Sequence, residues 1–158
     1  MNLYMKQRVF TWSDRFSIYD EEGREVYSVR GELFSWGKRL HVYDSLENEV
    51  AYIQQKIFTF RPRYTVFRNG AEIAQVVQEF TFLKPRYTVE GLGWDVRGNV
   101  WGHEYEMTAG GRSLVHVSKA WLSWGDSYQI QIDPAADAIT ALSVVLVIDA
   151  CIEAQNDH

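Results

Sequence analysis

Near the C-terminus, residues Ala138 to Ile152 read AITALSVVLVIDACI, and only Thr140, Ser143 and Asp149 interrupt the apolar run. A helix that is apolar on every side must be surrounded, by protein or by lipid. At about 1.5 Å per residue the run reaches roughly 22 Å, short of a hydrocarbon core of about 30 Å. Asp149 would be costly at membrane depth, and no Lys or Arg follows it to settle among head groups. The run therefore reads as a buried core helix over about residues 135–154, with no transmembrane span. Asp133 is the expected cap, with Pro134 at an early position.

The chain ahead of this helix reads as strands. Phe10, Phe34, Phe58 and Phe80 open FTWSDRFSIYD, FSWGKRLHVYD, FTFRPRYTVFRNG and FTFLKPRYTVEG, at spacings of 24, 24 and 22 residues. Each unit is an aromatic strand end, a tight tip and a second strand. Tyr64/Val66 and Tyr87/Val89 alternate with threonine, the period of a half-buried strand. Turns separate the units at Asp20 to Gly23, Ser45 to Asn48 and Asn69-Gly70, the last a strong hairpin signal. Gly31, Gly91 and Gly93 are placed where bulges or bends would help a sheet close. Counting between turns gives about twelve strands over residues 5–132. The expected architecture is mostly β, one domain over residues 1–158, a long antiparallel meander that is closed or strongly curled around the C-terminal helix.

The repeated FTFxxPRYTV strands, the later SWGDSYQIQI (Ser123 to Ile132) and the apolar C-terminal helix resemble the LURP-one-related family. That family belongs to the tubby C-terminal-like superfamily, with phospholipid scramblases as distant relatives. The resemblance spans essentially the whole chain and implies a twelve-stranded barrel closed on the helix. Tubby domains bind phosphoinositides through basic surface residues, but those positions do not map onto this sequence and none is carried over. For the family itself the resemblance implies no defined activity.

Composition and charge narrow the function classes. Aromatic residues make up 15% of the chain, as in a packed β-rich globule. The net charge of −5 argues against nucleic-acid binding. The single cysteine, Cys151, cannot form an internal disulfide, which fits a reducing compartment. The N-terminus lacks a signal-peptide core, so a cytoplasmic location is expected, peripheral to a membrane if the protein binds lipid.

Catalytic constellations are sparse. His41, His103, His116 and His158 are widely spaced, and His103-Glu104 lacks the second histidine of a zinc-protease helix. No nucleophile elbow or phosphate loop occurs. Cys151 on a buried helix would be an inert thiol. No enzyme, cofactor or metal site is expected; His103, Glu104 and Glu106 would be the first residues to inspect for one.

The charges carry more information. Successive turns of a meander lie at alternate ends, so the repeat assigns each tip to an end. Tips inside the units carry Arg15, Lys38, Arg39, Arg61, Arg63, Lys84 and Arg86, with Asp14 as their acid. Tips between units carry Asp20, Glu21, Glu22, Glu25, Asp44, Glu47, Glu49 and Glu72, against Arg24 and Arg68. A basic rim of this kind suits an anionic lipid head group, a phosphate group or an acidic protein partner. Charged hairpin tips also serve solubility and discourage edge pairing.

Trp12, Trp36, Phe60 and Phe82 beside the basic tips, and Trp124 before the acidic fifth tip Gly125-Asp126, are expected to plug the barrel end, with membrane-interface contact as the other reading. Trp94, Trp101 and Trp121 are expected in the core or barrel wall. The sequence thus points first to a non-enzymatic intracellular binding module acting at the basic rim. A structural or protein-interaction scaffold is the alternative, and a carrier or enzyme comes after it.

Overall fold

The computed structural model describes residues 1–6, 15–34, 37–79, 81, 85–122 and 125–156. Twelve strands form one closed antiparallel barrel: β1 (Asn2–Lys6), β2 (Arg15–Tyr19), β3 (Glu25–Phe34), β4 (Gly37–Asp44), β5 (Glu49–Lys56), β6 (Arg63–Arg68), β7 (Ala71–Glu79), β8 (Arg86–Glu90), β9 (Trp94–Asn99), β10 (Glu104–Ala109), β11 (Arg112–Leu122) and β12 (Gly125–Ile132). Each strand pairs with its sequence neighbour, and β1 closes the ring on β12 with Asn2 opposite Gln131 and Lys6 opposite Ser127.

The helix α1 (Ala138–Asn156) occupies the lumen. Over 19 residues it extends about 28 Å. Leu142, Leu146 and Ile148 are fully buried against inward strand residues such as Ile18, Leu40, Ile53, Met107 and Ile130. Ser143, also buried, donates its hydroxyl to the Ile139 carbonyl at 2.8 Å, so its polar atom costs the core little. The lumen is filled by the chain's own helix, as expected.

The start of the helix differs from the sequence expectation. Asp137, not Asp133, is the cap: its carboxylate accepts the Thr140 amide at 2.8 Å and the Thr140 hydroxyl at 2.7 Å. Arg68, at the end of β6, completes the site with an ion pair to Asp137. Asp133 instead shapes a turn, accepting the Ala135 amide at 2.8 Å and the Arg112 guanidinium at 2.8 Å. The physical reason is topological. β12 ends on the wall, and residues 133–137 must carry the chain inward before a helix can begin.

The repeat also places the irregularities. Register shifts fall between Ile18 and Tyr19, Val42 and Tyr43, Val66 and Phe67, and Met107 and Thr108. At each, the partner strand contributes an extra aliphatic residue: Val26, Val50, Ile73 and Leu114. These pack against the core at the end where α1 begins. Gly31, by contrast, sits in an unbroken ladder opposite Leu40. Gly91 does mark a close approach, since a Cβ there would lie 2.9 Å from the Ile73 carbonyl oxygen.

Two stability outcomes follow. Leu146→Ala should cost about 2–5 kcal/mol in denaturant unfolding, whereas Leu146→Asp should give no folded protein, because an unpaired charge would enter the core. A folded Leu146→Asp variant would contradict the central helix. For Asp137, burial pushes the carboxyl up, but bonds from Thr140 and the charge of Arg68 bring it below its ordinary value. A lowered carboxyl stabilises the fold above its unfolded pKa, and that stability is lost as pH falls through the folded value. Asp137→Ala should therefore cost about 1–2 kcal/mol at neutral pH, with the gap to the parent narrowing under acid; Asp137→Asn should retain most of the cap.

Candidate functional site

The meander brings the tips named for the basic rim to one end of the barrel, the end toward which α1 runs. The bases do not form a uniform ring there. Lys38 shares the inward parity of Leu40 and Val42, and its charge acts on Cys151 near the end of the helix. Arg39 faces outward from the next position, opposite Gln54 and Glu32. Arg15 reaches Glu47 at 3.5 Å and Glu25 at 3.8 Å, acids of the opposite end. Arg63 binds Glu90 at 2.9 Å and also Gln75. Lys84 lies outside the described residues. Sorting by end in the sequence is thus partly undone by pairing along the wall.

Charge concentrates at the β6–β7–β8 end. Arg61 pairs with Glu79, and Arg86 stands directly opposite Glu79 in the ladder. A hydrogen bond from Thr88, then Arg61 and Arg86, hold the Glu79 carboxyl below its ordinary range against the opposing effect of burial. Lys56 stands opposite Arg63 on the adjoining strand pair. Arg61 therefore holds the Glu79 carboxylate directly, and Arg86 adds its charge from across the ladder.

Acids at the other end have structural work. The Asp20 carboxylate accepts the amides of Glu22 and Arg24, both at 2.9 Å. Asp44, one repeat later, accepts those of Leu46 and Asn48 at the same distance. Both carboxyls are lowered by these bonds.

The wall carries an aromatic row absent from the sequence reading. Register aligns Arg15, Arg30, His41, Tyr52 and Phe67 across five strands. The His41 and Tyr52 rings lie 5.0 Å apart, and those of Tyr52 and Phe67 5.7 Å. With Glu49, Asn69 and Gly70 these three rings line a groove of about 460 Å³. His41 is committed within it: Nδ1 lies 2.7 Å from Glu49, and Nε2 lies 2.9 Å from Glu32, in ion-pair reach but out of line for a hydrogen bond. Alternation within each strand, read across the repeat, was the signal that could have revealed this row.

The residues singled out for catalysis do not converge. His103 stacks on Tyr128 at 4.1 Å, and burial, then Lys119, lowers its pKa. Glu104 accepts the Lys119 amide at 3.1 Å, while Glu106 accepts the Ser113 hydroxyl at 3.0 Å. Among the described residues no three His, Cys, Asp or Glu side chains could hold a metal ion, and no helix is long and apolar enough to cross a membrane.

The tip aromatics require correction. Phe60, expected to plug the barrel end, is 89% exposed, and Phe58 beside it is fully exposed. Trp101, expected in the core or wall, is 57% exposed in the β9–β10 turn, whereas Trp94 is buried as expected. Trp12, Trp36, Phe82 and Trp124 lie outside the described residues, as does the Trp121 side chain. A Pro-bounded tip holds its aromatics away from the wall because Phe58 and Phe60 fall outside the β5 and β6 ladders, so strand parity does not turn either inward.

A family model described as LURP-one-related matches residues 1–149. The chain belongs to the LURP-one-related family. A LURP-one-related barrel of this kind is 36% identical over 158 residues to the uncharacterized protein YxjI of Bacillus subtilis, covering 100% of this chain and 98% of that protein. A crystal structure of an Arabidopsis thaliana protein shares the fold with a TM-score of 0.67 at 16% identity, covering 95% of this chain and 91% of that one.

Inside this LURP-one-related barrel, burial pushes the Cys151 thiol up to about 12, against the influence of Lys38 and with that of Asp149. Burial also raises the hydroxyls of Tyr64, Tyr87 and Tyr105 that line the same end of the lumen. The native thiol should resist a maleimide at neutral pH and react fully in denaturant. Because the protonated thiol is the form the fold favours, its stabilisation is complete below the free thiol's range and is lost as pH rises through about 12.

Proposed function

We propose that this protein is a non-enzymatic binding module that takes the phosphate-bearing head groups of anionic lipids at the β6–β7–β8 end of its barrel. The observation that supports this reading best is that Arg61 pairs with the Glu79 carboxylate while Arg86, opposite Glu79 in the ladder, adds a second positive charge beside it. Guanidinium groups form paired hydrogen bonds with phosphate oxygens, and a second anion would balance the positive excess. Lys56, exposed on the adjoining strand, adds to the local field. The filled lumen argues in the same direction, since a ligand is left the rim and outer surface.

A scaffold whose rim charge is only solubilising is the second reading. The ion pairs of Arg15 with Glu47 and of Arg63 with Glu90 favour it, because they use rim bases on the protein's own acids.

Sedimentation with vesicles separates the two. The protein should bind vesicles of equal parts phosphatidylcholine and phosphatidylserine in low salt, and bind phosphatidylcholine vesicles less. At about 1 kcal/mol per basic residue near an anionic surface, Arg61→Gln with Arg86→Gln should weaken binding roughly thirty-fold. Glu79→Gln should strengthen it. A folded protein indifferent to all three changes would leave the scaffold reading in place.

A further inference from the structure

The β5–β6 tip, residues 57–62, presents the clearest anomaly on the surface. Phe58 is fully exposed and Phe60 is 89% exposed, so neither ring contributes appreciably to the core. Phe58 also holds φ at +60°, a left-handed conformation that a bulky side chain rarely adopts. A residue that buries nothing and strains the backbone is not there for the fold. Lys56 and Arg61 flank the pair, with Lys56 exposed and the Arg61 side chain 40% exposed.

From these features we infer that the tip is a membrane-insertion loop, in which Phe58 and Phe60 enter the acyl boundary while Lys56 and Arg61 stay at the level of lipid phosphates. This deepens the lipid-binding reading above and rests on it. Amphipathic surfaces with aromatics on one side and bases on the other bind at this depth, with strength set by buried apolar area plus attraction to anionic lipid.

The backbone of the tip suits such a place. An interface poor in water penalises bare carbonyls, and the Thr59 hydroxyl donates to the Arg61 carbonyl at 2.8 Å while lying 3.4 Å from that of Lys56. The Pro62 carbonyl accepts the Gln78 amide at 2.9 Å. Proline at 62 has no amide hydrogen to satisfy. The β9–β10 turn at the same end carries exposed Trp101, so a second aromatic tip faces the same direction. Leu46 provides the contrast. It is 80% exposed on a turn at the opposite end, but Asp44 and Glu47 flank it, and an anionic membrane would repel that tip.

The buried thiol makes the test direct, because Cys151 should remain unlabelled in the native protein. Phe60→Cys and, at the opposite end, Glu22→Cys are each labelled with an environment-sensitive fluorophore. Vesicles of phosphatidylcholine and phosphatidylserine should shift the Phe60→Cys emission to the blue, and spin-labelled acyl chains should quench it. The Glu22→Cys label should not respond.

In sedimentation, Phe58→Ser and Phe60→Ser should each weaken vesicle binding about ten-fold, the loss of an interfacial aromatic. Phe58→Asn should also weaken binding, yet leave the melting temperature unchanged or raised, since Asn tolerates the left-handed region. Vesicle binding that persists with a silent Phe60→Cys label and unaffected Phe variants would overturn insertion while leaving the head-group reading intact. No sedimentation with either vesicle would overturn both. A blue shift that a soluble protein produces, and vesicles do not, would replace the membrane by a protein partner and overturn the proposal.

Discussion

A helix without a polar face is the constraint on which the rest of this molecule depends. Its side chains Leu142, Leu146 and Ile148 can be removed from water only if apolar wall surrounds them on every side. A sheet meets that demand when it closes, and closure in turn removes the exposed edges that make open sheets prone to pairing with other chains. The repeat of hairpins supplies the staves, the bulges with Val26, Val50, Ile73 and Leu114 supply extra apolar cover at one end, and Asp137 with Arg68 fixes where the helix enters. Each device answers to the same requirement.

The outer surface follows a different logic, in which nearest neighbours across the ladder decide what a charge does. Arg15 and Arg30 both reach Glu47, although the sequence assigns Arg15 and Glu47 to opposite ends. Exposed pairs of this sort contribute little to stability, but they spend charge that a ligand would otherwise meet. The bases that outnumber their acids are therefore more informative than the bases that are merely numerous, and they gather around Glu79.

Much of the fold was legible because it rests on patterns that survive without coordinates. Twelve strands and a sheet wrapped around a central helix follow from a repeat of 24, 24 and 22 residues and one apolar run, and closure of that sheet is what the family resemblance adds. The errors lie where local signals compete. Asp133-Pro134 and Asp137 are both acceptable helix starts, and the choice falls to Asp137 because the chain must first turn into the barrel. Lys38 and Arg39 are adjacent in sequence but alternate in facing, so a rim counted from tips merges an inward base with an outward one. Phe60 resembles a barrel plug in every respect except that its tip stands clear of the ladders. Which aromatic faces solvent is decided by loop geometry, and composition does not encode it.

The seam between β1 and β12 has a consequence for how the molecule is made. The first strand pairs only with β2 and with the strand that comes just before the helix. A nascent chain can therefore zip its hairpins in order, but it holds an open, apolar inner face until the last strand and the helix are available. The helix cannot be threaded into a finished ring, so ring closure and core formation must be one event. Pairings this distant in sequence make for slow folding, and a half-made barrel displays the sticky surface that chaperones exist to cover. A protein so economical in its native state carries its greatest hazard during synthesis.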